Sequence, residues 1–435
     1  MDSTWGFIFP RITLLCVFLS LLYFSQRFWF VRFWRLSGRV ARPRARRVLR
    51  LAGVLAAAWL ALYLLGGATQ ANLRLWRGSM PGALVGLWLS SALLAWLAVG
   101  AVKDVEWIWQ RVVARRARSK PVAVAELESP SRRYFFQTAS YLAGAVPFVG
   151  ALYGFAAERL RYEVERVEVP IANLPAALDG LRIAQLSDIH IGSYMPREQV
   201  RRAVTMANEL QAHLAVITGD FLTGVHDPLE ACIAELARLR APLGAWGCNG
   251  NHEIYADAED AAEQLFQRYG MRLLRQQSAE LRWRGQPFNL IGVDYQRQRS
   301  PSGKRLEMLQ GVERLVRRDV PNILLSHNPN AFPRATEMGI ELTLAGHTHG
   351  GQVQVEILDR KFSPARFMTP YIAGMYQRPV PSDSRPISDP VSDLGPHTST
   401  PHTAHMYVNR GLGTIGAPVR IGSPPEITLL VLKRA

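Results

Sequence analysis

Five short apolar stretches of this sequence each end in side chains that bind metal ions, and this recurrence limits the possible folds more than any other feature. The first, LRIAQLSDIH, runs from Leu181 to His190 and ends in Asp188 and His190, where a buried strand gives way to a loop. The later stretches are VITGD (Asp220), GNHE (Asn251 and His252), LLSHNP (His327) and LAGHTHG (His347 and His349). Histidine nitrogens and carboxylate oxygens together favour zinc, manganese or iron. We therefore expect these side chains to meet at one metal site.

A single Asp-x-His, Gly-Asp or histidine would be a weak indication, since each is also common as a helix cap, a turn residue or a buried core histidine. The prediction depends on their joint occurrence in the order DxH, GD, GNHE, H and GHTH. Seven such ligands are enough for two ions that share one bridging residue.

Beyond Tyr162, apolar runs of strand length alternate with stretches of helical periodicity, as is typical of an α/β domain with its site at the strand ends. We predict strands at 167–170, 181–187, 213–218, 243–248, 288–293, 321–326, 341–345 and 426–432, and helices at 197–211, 228–240, 257–269, 304–317 and 329–337. Residues 378–404 are rich in Pro, Ser and Thr and have almost no large apolar residue. We interpret them as a disordered surface insertion, with His397, His402 and His405 solvated in or beside it.

The first third of the chain, residues 1–158, has the composition of a membrane region. It contains four apolar runs near 7–25, 51–68, 80–102 and 134–157, each about as long as a helix that crosses a bilayer. Residues 1–157 hold 20 of the 51 Lys and Arg residues but 5 of the 35 Asp and Glu residues. The formal net charge of +16 therefore belongs to the membrane region, so we predict the lipid bilayer as a partner and no nucleic acid. No protein partner is indicated.

The charges between the apolar runs predict how the chain is oriented in the membrane. Residues 26–50 carry nine arginines and no acid, whereas residues 69–79 carry only Arg74 and Arg77. Because cytoplasmic loops are positively charged, we expect the domain at 162–435 to lie outside the cytoplasm. The segment before the fourth run, Ser131 to Phe136, reads SRRYFF and resembles a twin-arginine export signal. The alternative is that its arginines only mark the inner membrane edge.

Several other polar residues have an ambiguous role in the sequence. Asp294 follows a predicted strand and is placed either at the site, reached from the strand end, or in a turn, and the turn is favoured. Arg410 and Arg420 flank a Gly-rich turn and would contact substrate phosphate or hold that turn, and Asn328 and Glu253 are candidates to orient ligands only by adjacency. For the three cysteines, Cys16, Cys232 and Cys248, a Cys232–Cys248 bridge is possible, but unpaired thiols are favoured because no CxxC occurs.

The five-part motif resembles that of the calcineurin-like metallophosphoesterases, and the resemblance covers about Leu181–Leu432. It implies an α/β fold, a two-sheet β-sandwich flanked by helices, here preceded by the predicted transmembrane region. It also implies two divalent transition-metal ions (manganese, zinc or iron). One ion would be held by Asp188, His190 and His349, the other by Asn251, His327 and His347, with Asp220 bridging them. His252 would be catalytic together with Asp220, facing the phosphate and helping the leaving oxygen depart while a hydroxide shared by the ions attacks phosphorus.

The opening RIAQLSDIHIG and the closing VNRGLGTIGAPVRIGSPPEITLL are most similar to the membrane-attached bacterial branch of that family. This resemblance implies a phosphodiesterase that acts on lipid-linked or cell-envelope substrates, as members of the branch are often described. We therefore predict a phosphodiesterase of the bacterial inner membrane with its domain on the periplasmic side. One alternative is a UDP-2,3-diacylglucosamine hydrolase of lipid A synthesis, whose substrate is made in the cytoplasm. The other is a non-catalytic membrane sensor or scaffold, against which the full ligand set argues.

Overall fold

The chain forms two compact units, Met1–Tyr153 and Gly154–Ala435. The computed structural model describes residues 3–67, 80–117, 130–297, 300, 306–357, 360–367, 369–380 and 403–435. In the first unit the described residues form long helices, with the last continuing just past the boundary. They are α1 (Ser3–Ser37), α2 (Pro43–Gly67), α3 (Met80–Ala117) and α4 (Pro130–Ala156).

Among the described residues, three helical segments are long and apolar enough to cross a membrane. They are Thr13–Ser37, Pro81–Val113 and Pro130–Leu160. These segments overlap three of the four apolar runs predicted from the sequence. Helix α2 contains residues 51–67 of the remaining run but is not among these segments, and its first turns carry several arginines. Position 68 itself lies outside the described residues.

The second unit begins with strand β1 and consists of strands and short helices. The strands are β1 (Glu163–Ile171), β2 (Arg182–Leu186), β3 (Leu214–Thr218), β4 (Ala245–Cys248), β5 (Arg272–Leu273), β6 (Gln277–Trp283), β7 (Gln286–Val293), β8 (Asn322–Ser326), β9 (Leu342–Ala345), β10 (Val355–Ile357), β11 (Arg360–Phe362), β12 (Gly374–Pro379), β13 (Thr403–Val408) and β14 (Glu426–Arg434). The helices are α5 (Arg197–Glu209), α6 (Leu229–Leu236), α7 (Asn251–Ala256), α8 (Glu259–Arg268) and α9 (Phe332–Glu337).

Two mixed six-stranded sheets form the centre of this unit. The first has the order β1-β14-β2-β3-β4-β5 and the second β12-β13-β9-β8-β7-β6, while β10 and β11 pair separately. Strands β2, β3 and β4 are parallel neighbours, as are β7, β8, β9 and β13. Because parallel neighbours end at the same edge of a sheet, the loops that follow these strands are brought together.

Each central strand buries both of its faces. Along β2 and β3, Ile183, Leu214 and Val216 face the second sheet and contribute to a core between the sheets. The alternate residues Ala184 and Ile217 belong to a second core that also contains residues of α5, α6 and α8. Side chains of a strand alternate between its two faces, so burial on both faces explains why these strands are continuous apolar runs. The predicted two-sheet sandwich flanked by helices is therefore confirmed.

Most predicted elements of this domain are present, with two differences. The helix predicted at 304–317 is wrong: of its described residues only Glu313–Leu315 are helical, as a single 3₁₀ turn. The predicted insertion 378–404 falls mainly on 381–402, outside the described residues, but its ends lie in β12 and β13, which pair antiparallel up to Pro379 and Thr403. His405 is buried within β13 rather than solvated. The three cysteines are free, as predicted.

Candidate metal centre

The polar ends of the five apolar stretches meet at one edge of the sandwich. Asp188 follows β2, Asp220 follows β3 and His327 directly follows β8. Hydrogen bonds join these loops across the sheets. The Gly219 carbonyl accepts from the Asp188 backbone N–H (3.0 Å), and the Thr218 carbonyl accepts from His327 Nδ1 (2.6 Å). The polar ends of the motifs therefore lie together at a single site, as expected from the sequence.

A first group of potential ligand atoms is formed by Asp188, His190, Asp220 and His349, whose nitrogens and oxygens all lie within 4.8 Å of one another. His190 Nε2 is 3.1 Å from His349 Nε2 and 3.5 Å from Asp220 Oδ2. His349 Nε2 is 3.3 Å from Asp188 Oδ1. All four side chains are buried. Four potential metal-ligand atoms are therefore directed at one small volume.

A second group shares one member with the first. Asp220, His327 and His347 also place ligand atoms within 4.8 Å of one another, and His327 Nε2 lies 3.1 Å from Asp220 Oδ2. Asn251 begins α7 directly after Gly250 and is buried. The carboxylate of Asp220 therefore belongs to both groups, as expected of a residue that bridges two ions.

The backbone at this edge adopts an unusual conformation. The left-handed region, with φ of 49–73°, is occupied by Asp188, His190, Asp220, His347 and His349. Side chains other than glycine rarely adopt it, and residues that do are concentrated at functional sites, where surrounding contacts hold them in place. Five of the seven predicted ligands are thus held in a conformation that the free chain would avoid.

Glycines allow the backbone to approach the site closely. A Cβ atom on Gly250 would collide with Asp220 Oδ1, and one on Gly346 would collide with Ser187 Oγ and Asp188 Oδ2. Gly411 has φ of 72° and leaves no room for a Cβ beside that of Asp188 (2.5 Å).

Burial keeps most of the imidazoles neutral. It lowers the pKa of His190 to about 3 and that of His347 to about 4, and it lowers the pKa of His349 well below its usual range. His327 is the exception, because the carboxylates of Asp220 and Asp188 outweigh burial and raise its pKa to about 10. Neutral imidazoles have a free lone pair, which is the form that binds metal ions.

The carboxyl groups of Asp188 and Asp220 differ in the direction in which their pKa values are shifted. Burial, reinforced by the charge of Asp220, raises the pKa of Asp188 to about 6. For Asp220, burial opposes ionisation, but the neighbouring His327 keeps its pKa well below the usual range. Two buried carboxylates that share histidine neighbours are costly unless a cation or a proton compensates their charge.

One buried acceptor at this edge, Asn251 Oδ1, has no hydrogen-bond partner in the described part of the chain. Nearby, His327 Nε2 faces the Asp220 carboxylate at 3.1 Å. Buried polar groups are nearly always paired, so an unpaired acceptor beside buried carboxylates indicates a missing binding partner. The residues present therefore fit divalent metal ions, and the two groups that share Asp220 form a candidate dinuclear centre.

The residues that orient the ligands were only partly foreseen. Glu253 is fully buried and accepts from the backbone N–H groups of Asp220 (2.9 Å), Gly250 (2.7 Å) and Phe221 (2.8 Å). Thr223 was missed, and its hydroxyl lies 3.1 Å from His190 Nδ1. No sequence pattern marks Thr223, because its position depends on how the loop after β3 folds.

The remaining ambiguous residues have structural contacts. Asp294 accepts from Asn249 and Arg275, as a residue that ties loops together. Arg420 is fully buried and donates to backbone carbonyls of the 410–413 turn and of His349. Arg410 pairs with Glu426 and Glu165. Both arginines therefore hold the Gly-rich turn.

Comparisons with known proteins agree with this site. The family model of calcineurin-like phosphoesterases matches residues 181–351, which contain every residue of the predicted site. A Danio rerio protein named as a transmembrane protein with metallophosphoesterase domain is 31% identical over 329 residues, which cover 74% of this chain and 67% of that protein. This chain belongs to the calcineurin-like metallophosphoesterase family.

Other relatives of this metallophosphoesterase are also named for a metallophosphoesterase domain or activity. A Bos taurus transmembrane protein with metallophosphoesterase domain is 30% identical over 62% of this chain, and the chain spans 57% of that protein's length. An uncharacterized metallophosphoesterase of Bacillus subtilis is 28% identical, with 71% of this chain and 99% of the relative covered. Membership of the family makes the chain a hydrolase of phosphoric esters with a divalent metal site.

Proposed function

We propose that this metallophosphoesterase is a membrane-anchored phosphodiesterase with two metal ions. The observation that carries the proposal is that Asp220 is common to two groups of ligand atoms, and the atoms of each group lie within 4.8 Å of one another. A dinuclear site is well suited to phosphoester hydrolysis, because attacking and leaving oxygens both require charge stabilisation. A sensor or scaffold would have no need of two complete groups.

The substrate in this proposal is a lipid-linked or cell-envelope phosphodiester. Three helical segments of the described chain are suited to a bilayer, and the zebrafish and bovine relatives are named as transmembrane proteins. The match to the zebrafish relative covers 74% of this chain, which is more than Gly154–Ala435 contains, so it extends into the first unit. Anchoring at a membrane gives a hydrolase direct access to lipid-linked esters.

In the proposed centre, Asp188, His190 and His349 would hold one ion, Asn251, His327 and His347 would hold the other, and Asp220 would be shared by both. Ions bound there would supply an activated water and neutralise charge on the phosphate oxygens. The protein keeps the ligands oriented: Thr223 contacts His190, and the Thr218 carbonyl fixes the tautomer of His327 by accepting from Nδ1.

His252 has the position of a proton donor. The Thr223 carbonyl accepts from its Nδ1 (2.8 Å), so Nε2 is the nitrogen left for substrate. The His252 backbone N–H donates to Asp220 Oδ1 (2.9 Å), and the ring lies edge-on to His190 with 4.7 Å between centroids. In this proposal protonated His252 donates from Nε2 to the leaving oxygen, which is general acid catalysis.

The proposal predicts different outcomes for Asp220→Asn and His252→Ala. We expect Asp220→Asn to lose most bound metal and most activity, because the amide cannot supply a second anionic oxygen. His252→Ala should retain its metal but turn over a generic phosphodiester about 10²–10⁴-fold more slowly, as expected for a lost general acid. Both effects are measured on purified full-length protein. Mass spectrometry gives the metal content, and hydrolysis of bis(4-nitrophenyl) phosphate with manganese gives the turnover.

The exposed His226 provides a control, since His226→Ala should change neither quantity. Metal-loaded wild-type protein that cleaves no phosphodiester would contradict the proposed activity. Loss of metal from His252→Ala would instead show that His252 is a ligand.

A further inference from the structure

Among the described residues, those around the metal centre are partly exposed on the side of His252 and His347. Asp188, His190, Asp220, His327 and His349 are buried, whereas His252 and His347 are partly exposed. A substrate phosphate therefore reaches the centre between these two imidazoles. The side chains that surround His252 and His347 are in a position to contact the groups attached to that phosphate.

Two tyrosine rings lie beside these imidazoles. Tyr255, 57% exposed, has its ring centroid 5.6 Å from that of His252. Tyr295, on the segment after β7, lies 5.3 Å from the His347 ring and 6.1 Å from that of His327. The opening is thus bordered by an exposed aromatic face next to the proposed acid and by a second ring next to His347.

A guanidinium group completes this border. Arg297 is exposed and places its Cζ 5.6 Å from the Tyr255 ring centroid. Within the described part of the chain, no carboxylate forms an ion pair with Arg297, whereas Arg410 and Arg275 pair with several. A cation stacked on an aromatic ring is positioned without being neutralised, and it keeps its donors for an anion.

We propose that Tyr255 and Arg297 form a leaving-group site that selects phosphodiesters whose leaving group carries an anionic group of its own. This inference rests on the proposed function, since it assigns the leaving group to the side of His252. The leaving oxygen lies beside His252, and the next group along the substrate then meets the Tyr255 face. An anionic group there accepts hydrogen bonds from the Arg297 guanidinium.

The proposal is tested with two chromogenic esters that differ only in the leaving group. Methyl 4-nitrophenyl phosphate has an uncharged nitrophenyl ring, and methyl 3-carboxy-4-nitrophenyl phosphate adds a carboxylate to it. With manganese and full-length protein, we expect Arg297→Ala to lower kcat/KM about tenfold or more for the carboxylated ester and less than about twofold for the other. The ratio of these two effects cancels intrinsic differences in reactivity between the esters.

Further variants separate recognition from a structural effect. Arg297→Lys should keep part of the preference, because it retains the charge but loses the planar stack, and Tyr255→Leu should reduce the preference by releasing the guanidinium. Arg272 stacks on Trp246 at the edge strand β5, and Arg272→Ala should leave both rates unchanged. Metal content should be the same in all variants.

If wild-type protein hydrolyses both esters but Arg297→Ala slows them equally, or slows neither, the leaving-group site is overturned and the proposed function stands. If metal-loaded wild-type protein hydrolyses neither ester, both proposals fall.

Discussion

Glu253 connects two of the ligand-bearing loops although it is not itself a predicted ligand. Its two carboxylate oxygens accept from the backbone of Asp220, Phe221 and Gly250. In Glu253→Gln one oxygen becomes an NH₂ group that faces N–H donors, so these bonds cannot all form. We expect kcat/KM to fall about 10–100-fold together with metal affinity, as is typical of groups that orient ligands. Steady-state kinetics across a manganese titration measures both effects.

The exposed Glu209 at the end of α5 offers a matched control, since Glu209→Gln removes the same charge far from these loops in the sequence. Unchanged metal affinity in Glu253→Gln would show that the loops hold their position without this carboxylate.

At the level of single residues, the sequence identified side chains whose type suits a metal ion. It missed side chains whose role depends on how a loop folds. Asp188, Asp220 and His327 were recognisable because their types suit a metal ion and each follows an apolar strand. Thr223 and Tyr295 were not, because a hydroxyl or a ring on a loop has no pattern until the loop is folded. His405 was assigned to solvent from its Pro-rich neighbourhood, although pairing of β13 with β9 buries it.

Helices α5 and α6 are joined through one buried carboxylate. Glu235 of α6 is 0% exposed and bonds to Arg197 and Arg201 of α5, which are about half exposed. Hydrogen bonds from Arg201, opposed by burial, lower the pKa of Glu235 to about 2. We expect Glu235→Gln to lower the Tm at pH 7 by roughly 2–4 °C, for a loss of about 1 kcal/mol in a domain of this size.

The pH dependence of that difference follows from the lowered pKa. The stabilisation by Glu235 is fully present above the ordinary carboxyl pKa of 4.5 and is lost as the pH falls through about 2. The Tm difference between wild type and Glu235→Gln should therefore be constant from pH 5 to 8 and shrink below about 4.5. Glu230 of the same helix makes an exposed pair with Arg268, so Glu230→Gln should have little effect. A Glu235 effect no larger than that of Glu230 would contradict the prediction.

Elements of the domain were predictable where periodicity and burial agree. The central strands are buried on both faces, so their apolar runs stand out, and α5 has its apolar residues on one face. The run 304–317 has helical periodicity as well, but its buried residues Leu309 and Val312 pack against α9 residues such as Ala335 from irregular backbone. Tertiary packing there overrides local propensity.

For the molecule as a whole, the family followed from the sequence, whereas the domain organisation and the placement of the domain relative to the membrane stay predictions. The candidate spans include Thr13–Ser37 and Pro130–Leu160, but helices chosen by length and composition do not define orientation. The prediction depends on the charges of the loops and on Arg132 and Arg133. The loop charges and the paired arginines both imply that the domain lies outside the cytoplasm. They differ in how the domain would cross the membrane.

A β-lactamase reporter distinguishes these mechanisms in bacteria. A reporter fused after Ala435 should confer ampicillin resistance. One fused after Ala117, between the third and fourth apolar runs and therefore on the cytoplasmic side in the predicted orientation, should not. Replacing Arg132 and Arg133 by lysines keeps the positive charge but removes the paired arginines. If the segment is an export signal, this replacement abolishes resistance of the Ala435 fusion. If the arginines only mark the membrane edge, resistance persists because the charge bias is unchanged. A sensitive wild-type fusion at Ala435, intact in the membrane fraction, would place the domain in the cytoplasm, where lipid A precursors are made, and would contradict the predicted orientation.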